Sequence, residues 1–272
     1  MNRLTACICL SFLSTAMAAN YSATEHLWYT QPAGIPNTAM PWSPQVLATG
    51  NLPGKLNRDT WESQTLPVGN GRIGGTVYGG DRLDCVVLNE TSLWTGGPNS
   101  PRNGEGYAYG PKAVKDEFGS YQPFANLYVG YAFKGESEGY SRALDLRKAE
   151  ATAEFNVAGV QHRRTCFASR PDDVLVYTAE ADQPGALTAR IALTPYHNVE
   201  YSLENGNTII MRGQLANGEV FEGRMLVRTR GGSLRMHPGK AQVQVNYRGK
   251  NDAMTPHFPA DQLPYVGVKN AD

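Results

Sequence analysis

An all-β fold, a two-sheet antiparallel β-sandwich, is what this sequence predicts, and three observations carry the prediction. Glycine (29) and proline (17) are plentiful while charged residues make up 18% of the 272 residues, against roughly 25% in ordinary soluble domains. From Ala151 onward apolar residues alternate with period two, the spacing that sends every second side chain to one face of a strand. No segment repeats apolar residues at helical spacing over a helical length. An open barrel is the alternative arrangement of the same strands.

The chain begins with what reads as an export signal. Met1-Asn2-Arg3 supplies a basic start, positions 4–13 a mostly apolar run, and Ala16-Met17-Ala18 an A-x-A cleavage site. Residues 1–18 are therefore expected to be a signal peptide cut after Ala18, leaving a secreted or periplasmic protein. The run is far short of the roughly 20 residues a membrane span needs, so no membrane association is expected after cleavage. Residues 20–59 contain Pro32, Pro36, Pro41, Pro44 and Pro53 and read as loop, with a strand only at Leu27-Trp28-Tyr29. Cys85-Val86-Val87-Leu88 is a short apolar strand, and residues 99–119 form a second Gly-, Pro- and Asn-rich loop.

Ala151, Ala153, Phe155 and Val157 point one way, and Thr152, Glu154 and Asn156 the other. Ala158-Gly159 turns the chain, 160–168 returns, 174–180 follows Pro171-Asp172-Asp173, and Leu187, Ala189, Ile191 and Leu193 alternate again, which predicts a four-stranded meander. Asn205-Gly206 is a two-residue hairpin signal, since both positions need positive φ, and Gly231-Gly232 predicts a second hairpin. The domain is expected to span 19–247. Residues 248–272 read as an irregular tail at which the chain looks truncated.

Charge and side-chain chemistry exclude several functions. The 25 basic and 25 acidic residues are mixed along the chain and sum to zero, so no field attracts phosphates and nucleic acid is not an expected partner. The five histidines have no metal-ligand spacing, and neither a metal nor a cofactor is expected. Only Cys85 and Cys166 survive leader removal. Buried free thiols rank ahead of a Cys85–Cys166 disulfide, which is kept as the alternative because bridging depends on a Cα separation.

Gly69-Asn70-Gly71-Arg72-Ile73-Gly74 matches the G-x-G-x-x-G string of dinucleotide folds, but strand and turn chemistry follows where a phosphate-binding helix would be needed. It reads instead as a Gly-rich turn that brings Asn70 and Arg72 to a surface, toward sugar hydroxyls or a neighbouring domain. Downstream of the Cys85 strand, Asn89, Glu90 and Trp94 combine amide, carboxylate and indole, the set that covers a sugar ring and binds its hydroxyls. Turn formation and core packing explain the same residues and rank ahead. Glycoside hydrolysis needs two placed carboxyl groups, and nothing in the spacing of this chain's carboxylates selects a pair.

The order and spacing of several motifs resemble the start of family 95 glycoside hydrolases. They are Leu27-Trp28-Tyr29, Trp61-Glu62, the L-P-V-G-N-G-R-I-G string at 66–74, L-N-E-T-S-L-W-T-G-G-P at 88–98, Y-Q-P-F-A-N-L at 121–127 and Y-S-R-A-L-D-L at 140–146. Phe167-Ala168-Ser169-Arg170-Pro171-Asp172 and Phe221-Glu222-Gly223-Arg224 continue the likeness. The resemblance implies an N-terminal β-sandwich that complete members follow with an (α/α)6 barrel, the partner expected here. It also implies cleavage of terminal α-L-fucose or galactose by inversion, through barrel residues, so no catalytic residue transfers to this chain. Asn126 stands where the family has Asp, and about 20 extra residues lie between Tyr29 and Trp61. Three functions are then in competition: a non-catalytic domain of an α-L-fucosidase-like enzyme, a free-standing module binding a fucosylated glycan, and, ranked last, an autonomous hydrolase.

Overall fold

The computed structural model describes residues 4–9, 25–33, 58–96, 119–245 and 262–272. The expected cleavage site, most of the two long loops and the start of the tail lie outside these residues. In chain order the elements are β1 (Leu4–Cys9), β2 (His26–Tyr29), a short helix α1 (Arg58–Gln64), β3 (Leu66–Gly69), β4 (Ile73–Val77), β5 (Leu83–Glu90) and β6 (Ala125–Tyr131). Then follow β7 (Ser137–Asp145), β8 (Glu150–Val157), β9 (Val160–Ser169), β10 (Val174–Ala181), β11 (Leu187–Pro195) and β12 (Val199–Glu204). The series ends with β13 (Thr208–Gln214), β14 (Val220–Arg228), β15 (Ser233–His237), β16 (Gln242–Val243) and β17 (Tyr265–Ala271).

The predicted sandwich is present. One layer is a seven-stranded sheet in the order β15-β17-β11-β6-β5-β4-β3. Facing it are two five-stranded sheets, β1-β14-β13-β12-β16 and β10-β9-β8-β7-β2. Leu144, Phe155, Cys166, Leu175 and Tyr177 from one of these, and Met211, Phe221, Met225 and Val227 from the other, are buried. Most of them join Val68, Val86, Leu127, Ile191 and Val266 of the large sheet in one continuous core. β8 alternates strictly between half-buried and buried residues, as its period-two pattern requires. β5 is buried on both faces: Val86 and Leu88 point into the sandwich, while Leu83, Cys85 and Val87 join a second cluster with Ala33, Tyr78, Tyr128 and Ala192, against which Trp61 of α1 packs. Trp61 is fixed there by donating from Nε1 to Thr76 Oγ1 at 2.7 Å.

Two turns form as the sequence predicts. Ala158-Gly159 and Asn205-Gly206 all take positive φ, at 52°, 83°, 53° and 71°, and they close the β8–β9 and β12–β13 hairpins.

Three expectations need correction. The meander loses its fourth strand, because β11 crosses layers to pair with β6 and β17; its residues are apolar enough to be buried on both faces of the large sheet's centre. Gly231-Gly232 do take positive φ but carry the chain between sheets, since β14 pairs with β13 and β15 with β17. The tail is not irregular at its end: β17 inserts between β11 and β15, burying Val266, Val268 and Ala271. Cys85 and Cys166 are buried free thiols, the reading ranked first from the sequence; they lie in different core clusters, on opposite sides of the large sheet, so only the disulfide alternative is overturned.

Candidate functional site

The candidate residues gather at one end of the sandwich. The β3–β4 turn is held by Asn70, whose Oδ1 accepts from the backbone N–H groups of Arg72 and Ile73 at 2.9 and 2.8 Å. Gly71 at φ 95° lets the chain reverse there. With its carbonyl oxygen used by the turn, Asn70 turns its Nδ2 toward the opposing layer, donating to Ser169 O at 2.9 Å and Asp173 Oδ1 at 3.2 Å. Arg72 pairs with the other Asp173 oxygen and places Nε 3.3 Å from Glu90 Oε1. Asn70 and Arg72 thus bind the facing sheet of their own domain.

Glu90 has its side chain 8% exposed. Its Oε2 accepts from both N and Oγ of Ser92, at 2.9 and 2.6 Å, so one carboxylate oxygen is engaged within the turn that leaves β5 and the other by Arg72 from the β3–β4 turn. Asn89 is half-buried and stands opposite Gly74 in the β4–β5 ladder. Trp94 differs from these: it is 48% exposed. It bridges to Tyr121, whose ring meets the indole edge-on at 5.6 Å between centroids, and its Nε1 donates to Thr91 O at 2.9 Å. Asn217, between β13 and β14, donates to the carbonyls of Trp94 and Gly96 at 2.9 Å. Burial and then the charge of Glu90 push the Tyr121 hydroxyl up to about 12.

The cleft between Arg72, Glu90, Leu93, Phe124 and Glu222 has a volume of about 20 Å³, room for about one water molecule and far too little for a hexose. On its wall, Glu222 accepts from Arg224 Nε at 2.6 Å and pairs with Arg212. Burial would raise this carboxyl, yet the two guanidinium partners hold it below the usual range.

A second polar cluster, missed in the sequence, lies inside the sandwich. Asp84 Oδ1 accepts from the N–H groups of Gly79, Gly80 and Cys85 at 2.8, 3.1 and 2.8 Å, and Oδ2 from the Tyr177 hydroxyl at 2.8 Å. Arg164 donates to the carbonyls of Gly80 and Asp81. Its guanidinium lies over the rings of Tyr131 and Phe155, at 3.8 and 4.7 Å. Burial pushes the Asp84 carboxyl up against the pull of Arg164, Tyr177 and the amides. Every group of this network faces another protein group, the condition under which a buried ionic cluster is tolerated. No sequence signal marks it, because Asp84 and Arg164 are 80 residues apart in different strands. Asp173 and Asn217 were missed likewise, because their contacts are long-range. Among the described residues no group of three or more His, Cys, Asp or Glu side chains could hold a metal ion, and no helix is long and apolar enough to cross a membrane.

With this geometry in view, comparison with known proteins is informative. Residues 27–116 and 104–255 match the family described as glycosyl hydrolase family 65, N-terminal domain. The chain is 28% identical over 174 residues to alpha-L-fucosidase 2 of Arabidopsis thaliana, covering 56% of this chain and 21% of the relative. It is 27% identical over 233 residues to probable alpha-fucosidase A of Aspergillus niger, covering 72% and 28%. A further probable alpha-fucosidase A, from Aspergillus oryzae, is 24% identical over 157 residues, covering 48% and 22%. The matches span about a quarter of the length of these curated relatives.

Proposed function

This chain belongs to the glycosyl hydrolase family 65 N-terminal domain family, and from that premise we propose that it serves a secreted α-L-fucosidase-like hydrolase as a non-catalytic β-sandwich. We assign the parent enzyme to the family 95 type its motifs resemble. The observation that carries this reading is the state of Glu90, the carboxylate best placed for chemistry, whose two oxygens are engaged by Arg72 and Ser92. A glycosidase sets two carboxyl groups about 5 to 9.5 Å apart across a cleft that admits a sugar. Here Glu90 and Glu222 are instead occupied by arginines around a water-sized cavity.

Trp94 and Val220, 48% and 55% exposed, lie at the same end of the sandwich beside polar Asn217 and Arg72. An apolar surface with a polar rim is suited to docking another domain, and we assign it to the helical barrel. A second reading is favoured by the exposed indole itself, a platform for one face of a sugar ring: the domain binds a fucosylated glycan.

Purified protein should release no fucose from an aryl α-L-fucoside, and release by this chain alone would overturn the assignment. On a glycan array, saturable binding that disappears in Trp94→Ala would favour the second reading, and no binding to any glycan would sink it.

A further inference from the structure

The ladder between β1 and β14 runs parallel, pairing Leu4 through Cys9 with Gly223 through Arg228. Every other ladder among the described residues is antiparallel. In a sandwich built largely from antiparallel neighbours, a parallel strand must come from a remote segment, because no short turn can deliver it. β1 also runs alongside β10, whose hydrogen-bonded neighbour is β9 on its other side. It therefore lies between the two five-stranded sheets and joins them into one layer opposite the large sheet. Its sequence, Leu-Thr-Ala-Cys-Ile-Cys, carries no charge, Pro or Gly, as a strand enclosed between two others requires.

We propose that the groove between β14 and β10 is a strand-acceptor site, occupied in the unprocessed chain by Leu4–Cys9 and opened when the leader is removed. The proposal rests on the export reading for its second half. The site takes an extended, uncharged, apolar segment that lies parallel to β14 and bonds to its backbone edge, the mode in which an exposed sheet edge recruits a strand.

Hydrogen exchange tests this on the full chain. Ala6→Pro, which removes a backbone donor and disfavours the strand, should make those amides of Gly223–Arg228 that face β1 rather than β13 exchange about tenfold faster or more. Amides of β5 and β6 should stay protected. The chain 19–272 should show the same local loss, and a synthetic peptide of residues 3–10 should reverse it where a scrambled peptide does not. Unchanged protection of β14 in Ala6→Pro, or equal loss in every strand, would overturn the proposal. N-terminal sequencing of exported protein reads the leader separately: a product starting at Met1 would overturn the opening of the site by leader removal while leaving the Ala6→Pro result to judge the acceptor site.

Discussion

Arg72, in the turn between β3 and β4, forms an ion pair with Asp173, in the turn between β9 and β10, and so joins the two layers at one end of the sandwich. Asn70 reinforces the link by donating to Ser169 O and Asp173 Oδ1. The side chains of Arg72 and Asp173 are 33% and 38% exposed, so solvent screening limits their coupling to about 1 kcal/mol. Asp173 has φ 55°, which Asn also tolerates, so Asp173→Asn removes charge without adding strain. A double-mutant cycle with Arg72→Met, read by urea unfolding, should give a coupling of that size; additive single effects would show that the pair contributes nothing.

Gly80 is a sharper point of failure. Its N–H reaches Asp84 and its carbonyl accepts from Arg164, while an added Cβ would stand 1.9 Å from the backbone oxygen of Leu83. The obstacle is backbone, which cannot swing aside as a side chain could. Gly80→Ala should therefore cost about 3 kcal/mol, measured as a fall in urea midpoint, and a loss below about 0.5 kcal/mol would contradict the packing described.

Acid should weaken the fold through two histidines. Burial, with the Arg164 charge adding to it, lowers His162 to about 4, and burial lowers His197 to about 4. Between pH 6.5 and 4 the unfolded chain binds protons that the folded chain does not. Stability is thus full above about pH 6.5 and declines as pH falls toward 4, by up to about 1.4 kcal/mol per pH unit for each histidine. Among the described residues His162 Nδ1 has no hydrogen-bond partner, and the ring packs against Phe133 and Phe155. His162→Phe should accordingly flatten the decline measured by unfolding at pH 7.5, 6 and 4.5. An unchanged slope would show that this histidine does not carry it.

Thiol chemistry offers a further check. Cys85 and Cys166 are buried, and burial raises both thiols above the usual range. In chain 19–272, where no other cysteine remains, a colourimetric thiol reagent should react with neither in native protein and with both after denaturation. Rapid labelling of the native protein would place one of them at the surface.

How much was legible follows from the range over which each signal acts. The β8 alternation and the turns at Ala158-Gly159 and Asn205-Gly206 depend on residues one or two apart, and they form as read. The crossing of β11, the insertion of β17 and the role of Gly231-Gly232 depend on which sheet a strand joins, and apolar alternation looks alike in either layer. Asn70 and Arg72 were legible as a polar turn, but their partners lie about 100 residues away.

The sequence by itself determined the β class, the neutral net charge, and the ordered motifs shared with fucosidase-like hydrolases. These follow from composition and local spacing. Tertiary structure alone decided that Glu90 is tied to Arg72 and Ser92, that Asp84 and Arg164 share a buried network, and that Trp94 stays exposed. Each of these outcomes depends on desolvation and on partners supplied from distant strands, and neither exists until the layers close.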